Sequence, residues 1–165
     1  MEDKFKTIRP DDLIFDRIWT GTRRVIIIDI DGTIAKVGDR LKYLKQSPKD
    51  WDKFYEECFD DEPILEIIEA LHCLSGMYDF IFCTGRIESV RDQTEKWLKK
   101  HNLKGTLLMR PNNDYRHDTE VKPLLIEKCG VNKIQVRFIL EDSNVMVSKW
   151  RELGYKCLHV EDGDF

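Results

Sequence analysis

The chemistry-bearing residues of this chain begin at Asp29-Ile30-Asp31-Gly32-Thr33, which closes the most apolar run, Val25-Ile26-Ile27-Ile28. Two carboxylates two residues apart at the end of a buried strand are costly unless a cation or a proton compensates them. The chemistry open to them is therefore cation binding, nucleophilic attack or proton transfer, with an Asp-capped turn as the plain alternative. An EF-hand calcium loop starting at Asp29 is excluded, because its sixth and twelfth positions hold Ile34 and Arg40 instead of Gly and Glu. Cys83-Thr84-Gly85-Arg86 also ends an apolar run. Its hydroxyl and backbone N–H groups at a helix start would suit a phosphate, and equally an ordinary helix cap. Glu141-Asp142-Ser143-Asn144 offers carboxylates that could complete an oxygen-rich Mg²⁺ site or cap a helix running to Leu153. Lys122 taken alone is a solvated lysine; its weight comes from order and spacing.

The elements that must position these residues alternate along the chain. Apolar, β-branched runs at 25–30, 78–83, 105–109, 136–140 and 155–160 predict strands, and amphipathic patterns at 64–74 and 90–98 predict helices between them. Strands alternating with helices imply a three-layer α/β domain around a parallel sheet. A ligand then sits beyond the carboxyl ends of the strands, where strand order reverses, and all four segments fall at or beside such ends. Residues 36–62 are too many for a βα loop. In them Trp51, Phe54, Tyr55, Cys58 and Phe59 recur at helical spacing after Ser47-Pro48, a candidate helix start, so a small helical cap is expected. These aromatics are assigned to packing rather than to base stacking. Residues 1–22 have no clean period and are assigned to an extension that packs on the domain.

Composition narrows the classes. With 41% hydrophobic and 35% charged residues among 165, the chain has the make-up of one folded domain. The net charge of −4 argues against bulk attraction to duplex DNA. Between Lys36 and Lys49, however, Lys36, Arg40, Lys42, Lys45 and Lys49 face one acid, Asp39, a local balance of +4 that could receive phosphates. No apolar run reaches the length of a membrane span, and no secretory signal opens the chain. The five cysteines include no CxxC pair, so a reducing, cytoplasmic setting without a cysteine zinc site is expected.

In order and placement, DxDGT, TGR, a lysine and an acidic pair resemble the four motifs of the haloacid dehalogenase superfamily of phosphatases. The chain is similar, more narrowly, to the 3′-phosphatase domain of bacteriophage polynucleotide kinase/phosphatase and its stand-alone relatives. That likeness rests on Arg40 eleven residues after Asp29, Asp50-Trp51-Asp52, Asp61-Glu62-Pro63, Leu108-Met109-Arg110, Tyr115-Arg116-His117-Asp118, Trp150 to Gly154 and Gly163-Asp164-Phe165. It spans residues 23–165, a phosphatase domain with a cap insertion at about 36–62, and leaves 1–22 outside.

The resemblance implies an Mg²⁺-dependent phosphomonoesterase that removes a terminal 3′-phosphate from DNA or RNA. Asp29 would be the nucleophile and Asp31 the proton donor and acceptor, with a pKa raised by nearby carboxylates. Mg²⁺ would be held by Asp29, Asp142 and the main-chain carbonyl of Asp31. Thr84 and Lys122 would hold the phosphoryl oxygens, and Arg40, Gly85, Arg86 and Asp118 would contact substrate. Asp118 would orient Lys122. Glu141-Asp142 stands where relatives commonly have two aspartates, so the metal is placed on Asp142, and Asp39-Arg40 stands where they often have His-Arg. No GxxxxGK[ST] loop occurs in the sequence, so a separate kinase or ligase partner is expected. A phosphatase of free nucleotides or other small metabolites, and a non-catalytic binder of phosphorylated ends, are the alternatives.

Overall fold

Val25–Ile28 (β1) is apolar at every position, a composition that suits a strand covered on both faces, and its four residues are at most 1% exposed. In the computed structural model, which describes residues 18–163, β1 is the central strand of a five-stranded sheet. The other sheet strands are β4 (Asp79–Ile87), β5 (Thr106–Arg110), β6 (Val136–Glu141) and β7 (Cys157–His159). Their order is β5-β4-β1-β6-β7 and every neighbouring pair is parallel. Strand order reverses at β1, so Asp29 and Asp31 lie just beyond the carboxyl end of the strand at the switch point.

Strand alternation divides the core into two layers. Ile26, Ile28, Phe80, Phe82, Leu107 and Met109 face one side, where they meet Ile68 and Leu71 of α3 (Leu65–Leu74) and Trp97 and Leu98 of α4 (Arg91–Lys100). Val25, Ile27, Ile81, Cys83, Leu108 and Ile139 face the other, against Ile126 of α5 (Asp118–Lys128) and Met146, Val147 and Trp150 of α6 (Asn144–Glu152). The expected three-layer α/β architecture is the one observed.

The insertion starts as β2 (Ala35–Lys36) and ends as β3 (Glu62–Pro63), which pair antiparallel. Between them lie a 3₁₀ turn at Gly38–Leu41, α1 (Lys42–Lys45), α2 (Trp51–Glu56) and a second 3₁₀ turn at Glu57–Asp60. Phe54 and Cys58 are buried and Tyr55 and Phe59 pack beneath them, as their spacing predicts, whereas Trp51 is 46% exposed. The predicted helix start is corrected. Ser47-Pro48 carries a cis peptide bond outside the helix, and α2 is capped by Asp50, whose carboxylate accepts the Lys53 N–H at 3.1 Å.

Thr84-Gly85-Arg86 also differs from expectation. It lies within β4 rather than at a helix start, in a stretch where the register against β5 shifts between Thr84 and Ile87. Of the 1–22 extension, residues 1–17 lie outside the described residues, as do Asp164 and Phe165. Trp19 packs on the α5/α6 face and its main-chain N–H donates to the Cys129 carbonyl at 3.1 Å. All five cysteines are free thiols, and no helix among the described residues is long and apolar enough to cross a membrane.

Candidate active site

Beyond the carboxyl ends of β1 and β6 the chain brings together Asp29, Glu141 and Asp142, whose ligand atoms lie within 4.8 Å of one another. Lys122, from α5, donates to Asp29 Oδ1 at 2.7 Å and to Glu141 Oε2 at 3.0 Å. The Thr33 hydroxyl reaches Asp142 Oδ1 at 3.1 Å, and the Trp150 indole N–H reaches Glu141 Oε2 at 3.4 Å. Three buried carboxylates therefore face one ammonium. Burial, with Glu141 and Asp142 alongside, raises the Asp29 pKa well above the usual carboxylate range despite Lys122. Burial and Glu141 push Asp142 up to about 6. Burial alone would lower Lys122, yet Asp29 and Glu141 hold its pKa well above the ordinary value.

This cluster fits a hard divalent cation. Asp142 Oδ2 is buried and has no hydrogen-bond partner among the described residues, and an unpaired buried carboxylate oxygen among like charges calls for a cation. The surrounding backbone leaves no room for side chains. A Cβ at Gly32, whose φ is +82°, would lie 2.0 Å from Asp142 Oδ2, and one at Gly163 would lie 1.7 Å from it. The donor set is all oxygen, which suits Mg²⁺. Glu141 is bonded at both oxygens, Oε2 by Lys122 and Trp150 and Oε1 by the Ser143 N–H, whereas Asp142 keeps its Oδ2 unengaged among the described residues.

Asp31 occupies an opposite electrostatic setting. Arg86 donates through Nη2 to its Oδ1 at 2.6 Å and through Nε to Oδ1 and Oδ2 at 3.1 and 3.2 Å, and Arg40 Nη2 donates to the same Oδ1. Burial would raise the Asp31 pKa, but Arg86 and then Arg40 hold it down at about 2. This corrects the expectation of a raised value, because guanidiniums rather than carboxylates face this side chain. The Asp31 side chain is accordingly absent from the carboxylate cluster, so any metal contact it makes is left to its main-chain carbonyl. Arg40 and Arg86, expected to contact substrate, are 2% and 0% exposed and are filled by carboxylates.

The second of those carboxylates is Asp61, a residue whose place in the sequence points to no role. It accepts Arg40 Nε and Nη2, each at 2.7 Å, and Arg86 Nη2 at 2.8 Å. Its only sequence signal was the Asp61-Glu62-Pro63 segment.

Thr84 is buried, with its Oγ1 accepting the Arg86 N–H at 3.2 Å. The Gly85 carbonyl accepts Arg110 Nε at 3.2 Å and the Tyr55 hydroxyl at 3.4 Å. A Cβ at Gly85 would lie 2.9 Å from Asp118 Oδ2. Asp118 bonds Arg110, not Lys122, which corrects the orienting role expected of it. The basic patch is also thinner than its count. Arg40 is buried, while Lys36 and Lys42 lie 3.5 and 3.9 Å from Glu62 and Glu57, which leaves Lys45 and Lys49.

The model of the family described as "Polynucleotide kinase PNKP phosphatase domain" matches residues 23–165. A chain in the solved structure of the Pnkp1/Rnl/Hen1 RNA repair complex is 30% identical, superposes with a TM-score of 0.75, and is covered over 93% of this chain and 47% of that one. Phosphatidate phosphatase LPIN3 of Mus musculus is 29% identical over 132 residues, 74% of this chain and 14% of that protein. A haloacid dehalogenase-like hydrolase from Streptococcus pneumoniae, at 15% identity and a TM-score of 0.57 over 83% of this chain and 84% of that one, shares the fold. This chain therefore spans less than half of the first two proteins.

Proposed function

The chain belongs to the family of polynucleotide kinase phosphatase domains, and from that premise we propose that it is a phosphomonoesterase removing a terminal 3′-phosphate from DNA or RNA. The observation that carries this reading is the contrast between Asp29 and Asp31, two residues apart. One sits in a cation-seeking acidic cluster and the other between two guanidiniums. Paired carboxylates in opposed environments are the mark of divided labour between nucleophile and proton carrier.

In the proposed reaction an Asp29 carboxylate oxygen bonds to phosphorus as the bond to the sugar oxygen breaks. Asp31 gives that oxygen a proton. In the second step Asp31 takes a proton from the water that attacks the aspartyl-phosphate, releasing inorganic phosphate and restoring Asp29. Asp29 and Asp142, with the Asp31 carbonyl, would hold Mg²⁺. When bound there, Mg²⁺ supplies the positive charge that offsets repulsion between the nucleophile and the phosphate. Lys122, already on Asp29, and Thr84 would meet the phosphoryl oxygens.

Asp31 is a carboxylate at neutral pH in the free protein, since Arg86 and Arg40 hold its pKa at about 2. An incoming phosphate competes for those guanidiniums, and a weakened grip on Asp31 lets it take up the proton it must later donate. Arg40 and Arg86 thus serve substrate through Asp31. Residues 23–165 form the proposed phosphatase domain, 1–22 its extension, and a kinase or ligase on a separate polypeptide would complete end repair, as the RNA repair complex of a relative supports.

A second reading, a lipid phosphate, is favoured by the likeness to phosphatidate phosphatase LPIN3. Turnover of a 3′-phosphorylated oligonucleotide, a 5′-phosphorylated oligonucleotide, mononucleotides and phosphatidate vesicles, side by side with Mg²⁺, tests both. The 3′-phosphorylated oligonucleotide should be the best substrate. A preference for phosphatidate or for mononucleotides would overturn the assignment.

A further inference from the structure

Asp61 is 8% exposed and stands at the end of the insertion, immediately before β3. A buried carboxylate is retained at a cost unless its partners are well aligned, and here they are. Arg40 meets it with two parallel bonds of 2.7 Å, a bidentate geometry that fixes the plane of the guanidinium. Arg86 Nη2 is shared between Asp61 Oδ2 at 2.8 Å and Asp31 Oδ1 at 2.6 Å. Asp61 is itself held from the core, since its main-chain carbonyl accepts the Trp97 indole N–H at 2.8 Å. Arg40 is steadied again by the Phe54 ring, 4.2 Å from its Cζ, and by the Phe54 carbonyl at 3.2 Å from Nη1.

We propose that Asp61 is a positioning residue for proton transfer, aligning Arg40 and Arg86 so that the Asp31 carboxyl is presented to the leaving oxygen. Arg40 and Asp61 come from the insertion, Arg86 and Asp31 from strand ends of the core. The insertion therefore supplies half of the frame around the proton carrier. The inference rests on the role given above to Asp31, and Asp61 itself touches neither substrate nor metal.

Proton donation matters most when the leaving group is poor, so the test compares a 3′-phosphorylated oligonucleotide, which leaves as a sugar alkoxide, with p-nitrophenyl phosphate, which leaves without help. Asp61→Asn keeps the shape and removes the charge. It should lower the first-turnover rate, and with it kcat, on the oligonucleotide by about tenfold to a hundredfold, part of the ~10²–10⁴-fold that a positioned acid contributes. KM should move by less than about threefold, and so should the first-turnover release of p-nitrophenol, which reports formation of the aspartyl-phosphate before Asp31 is needed as a base. In an Asp31→Asn background, Asp61→Asn should add little, because the two act through one group. Asp61→Glu, which retains the charge, should recover part of the loss and provides the same two-ester comparison where Asp61→Asn does not fold. Equal losses of the first-turnover rate on both esters, no loss on either, or a full Asp61→Asn effect without Asp31 would overturn the proposal. Undiminished oligonucleotide turnover by Asp31→Asn would instead overturn the role of Asp31, and this inference with it.

Discussion

Lys122→Met keeps the length and apolar stem of the side chain and deletes the ammonium that pairs with two of the three buried carboxylates. Lys122 is 3% exposed and bonds Asp29 and Glu141 at 2.7 and 3.0 Å, so its loss strands both acceptors away from water. Breaking a buried pair in this way costs about 3–5 kcal/mol. For a domain of this size, with a urea m-value of about 2 kcal/mol/M, the unfolding midpoint should fall by roughly 1.5–2.5 M in chelator at pH 8. The deficit should shrink on acidification. Lys122 lowers the Asp29 pKa, so without it the folded state holds protons that the unfolded state has released, and each pH unit downward returns about 1.4 kcal/mol per proton held. Added Mg²⁺ should return part of the loss by the same neutralisation. Equilibrium urea unfolding at pH 8 and pH 5, with chelator and with Mg²⁺, measures all of this. A midpoint unchanged at pH 8, or a deficit independent of pH, would refute the electrostatic account of the cluster.

Mg²⁺ should raise the Tm of the parent protein, because a ligand bound only by the folded state stabilises it, and Asp142→Asn should abolish the rise; an equal rise in that variant would remove Asp142 from the site. Gly32→Ala, at φ +82° and with its Cβ 2.0 Å from Asp142 Oδ2, should lower kcat/KM and weaken Mg²⁺ binding at least tenfold, checked by Mg²⁺ titration of activity and of Tm. Asp31, held at about 2 against an ordinary 3.8, contributes stability that is present above about pH 4 and lost as pH falls through 2, roughly 2 kcal/mol at most. Asp142, pushed up to about 6, acts in the opposite sense, and metal-free stability should decline as pH rises from 4 to 6. Unfolding measured from pH 2 to 7 should show both slopes, with the acid limb flattened in Asp31→Asn and the upper limb in Asp142→Asn.

What the sequence discloses depends on how local the cause is. Asp29, Lys122 and Asp142 were legible because each lies at or beside the end of an element whose apolar pattern is long enough to recognise. The parallel sheet was legible for the same reason, since Val25–Ile28 and Phe80–Cys83 have no polar face to point at solvent. Asp61 was not. Its partners lie 21 and 25 residues away in the chain, and the turn that returns it to Arg40 is pinned by strands of two residues, too short to leave a period. Thr84-Gly85-Arg86 misled because a small, polar triplet after an apolar run has the composition of a turn, whereas here β4 continues through an irregular register. Asp118 was drawn to Lys122 by sequence proximity, but Arg110 from β5 is nearer in space.

The insertion shares its apolar layer with the sheet. Cys58, Ile34 and Ala35 are fully buried in the same cluster as Ile26 and Ile28 of the central strand, and Trp97 ties the insertion to α4. A segment so rooted should move with the sheet rather than swing over the site as a separate lid. The amide of Cys58, which shares that cluster with Ile26 and Ile28, should then exchange about as slowly as the amides of β1. Grafting this insertion onto another domain, or exchanging it for a different one, would therefore be a redesign of the core.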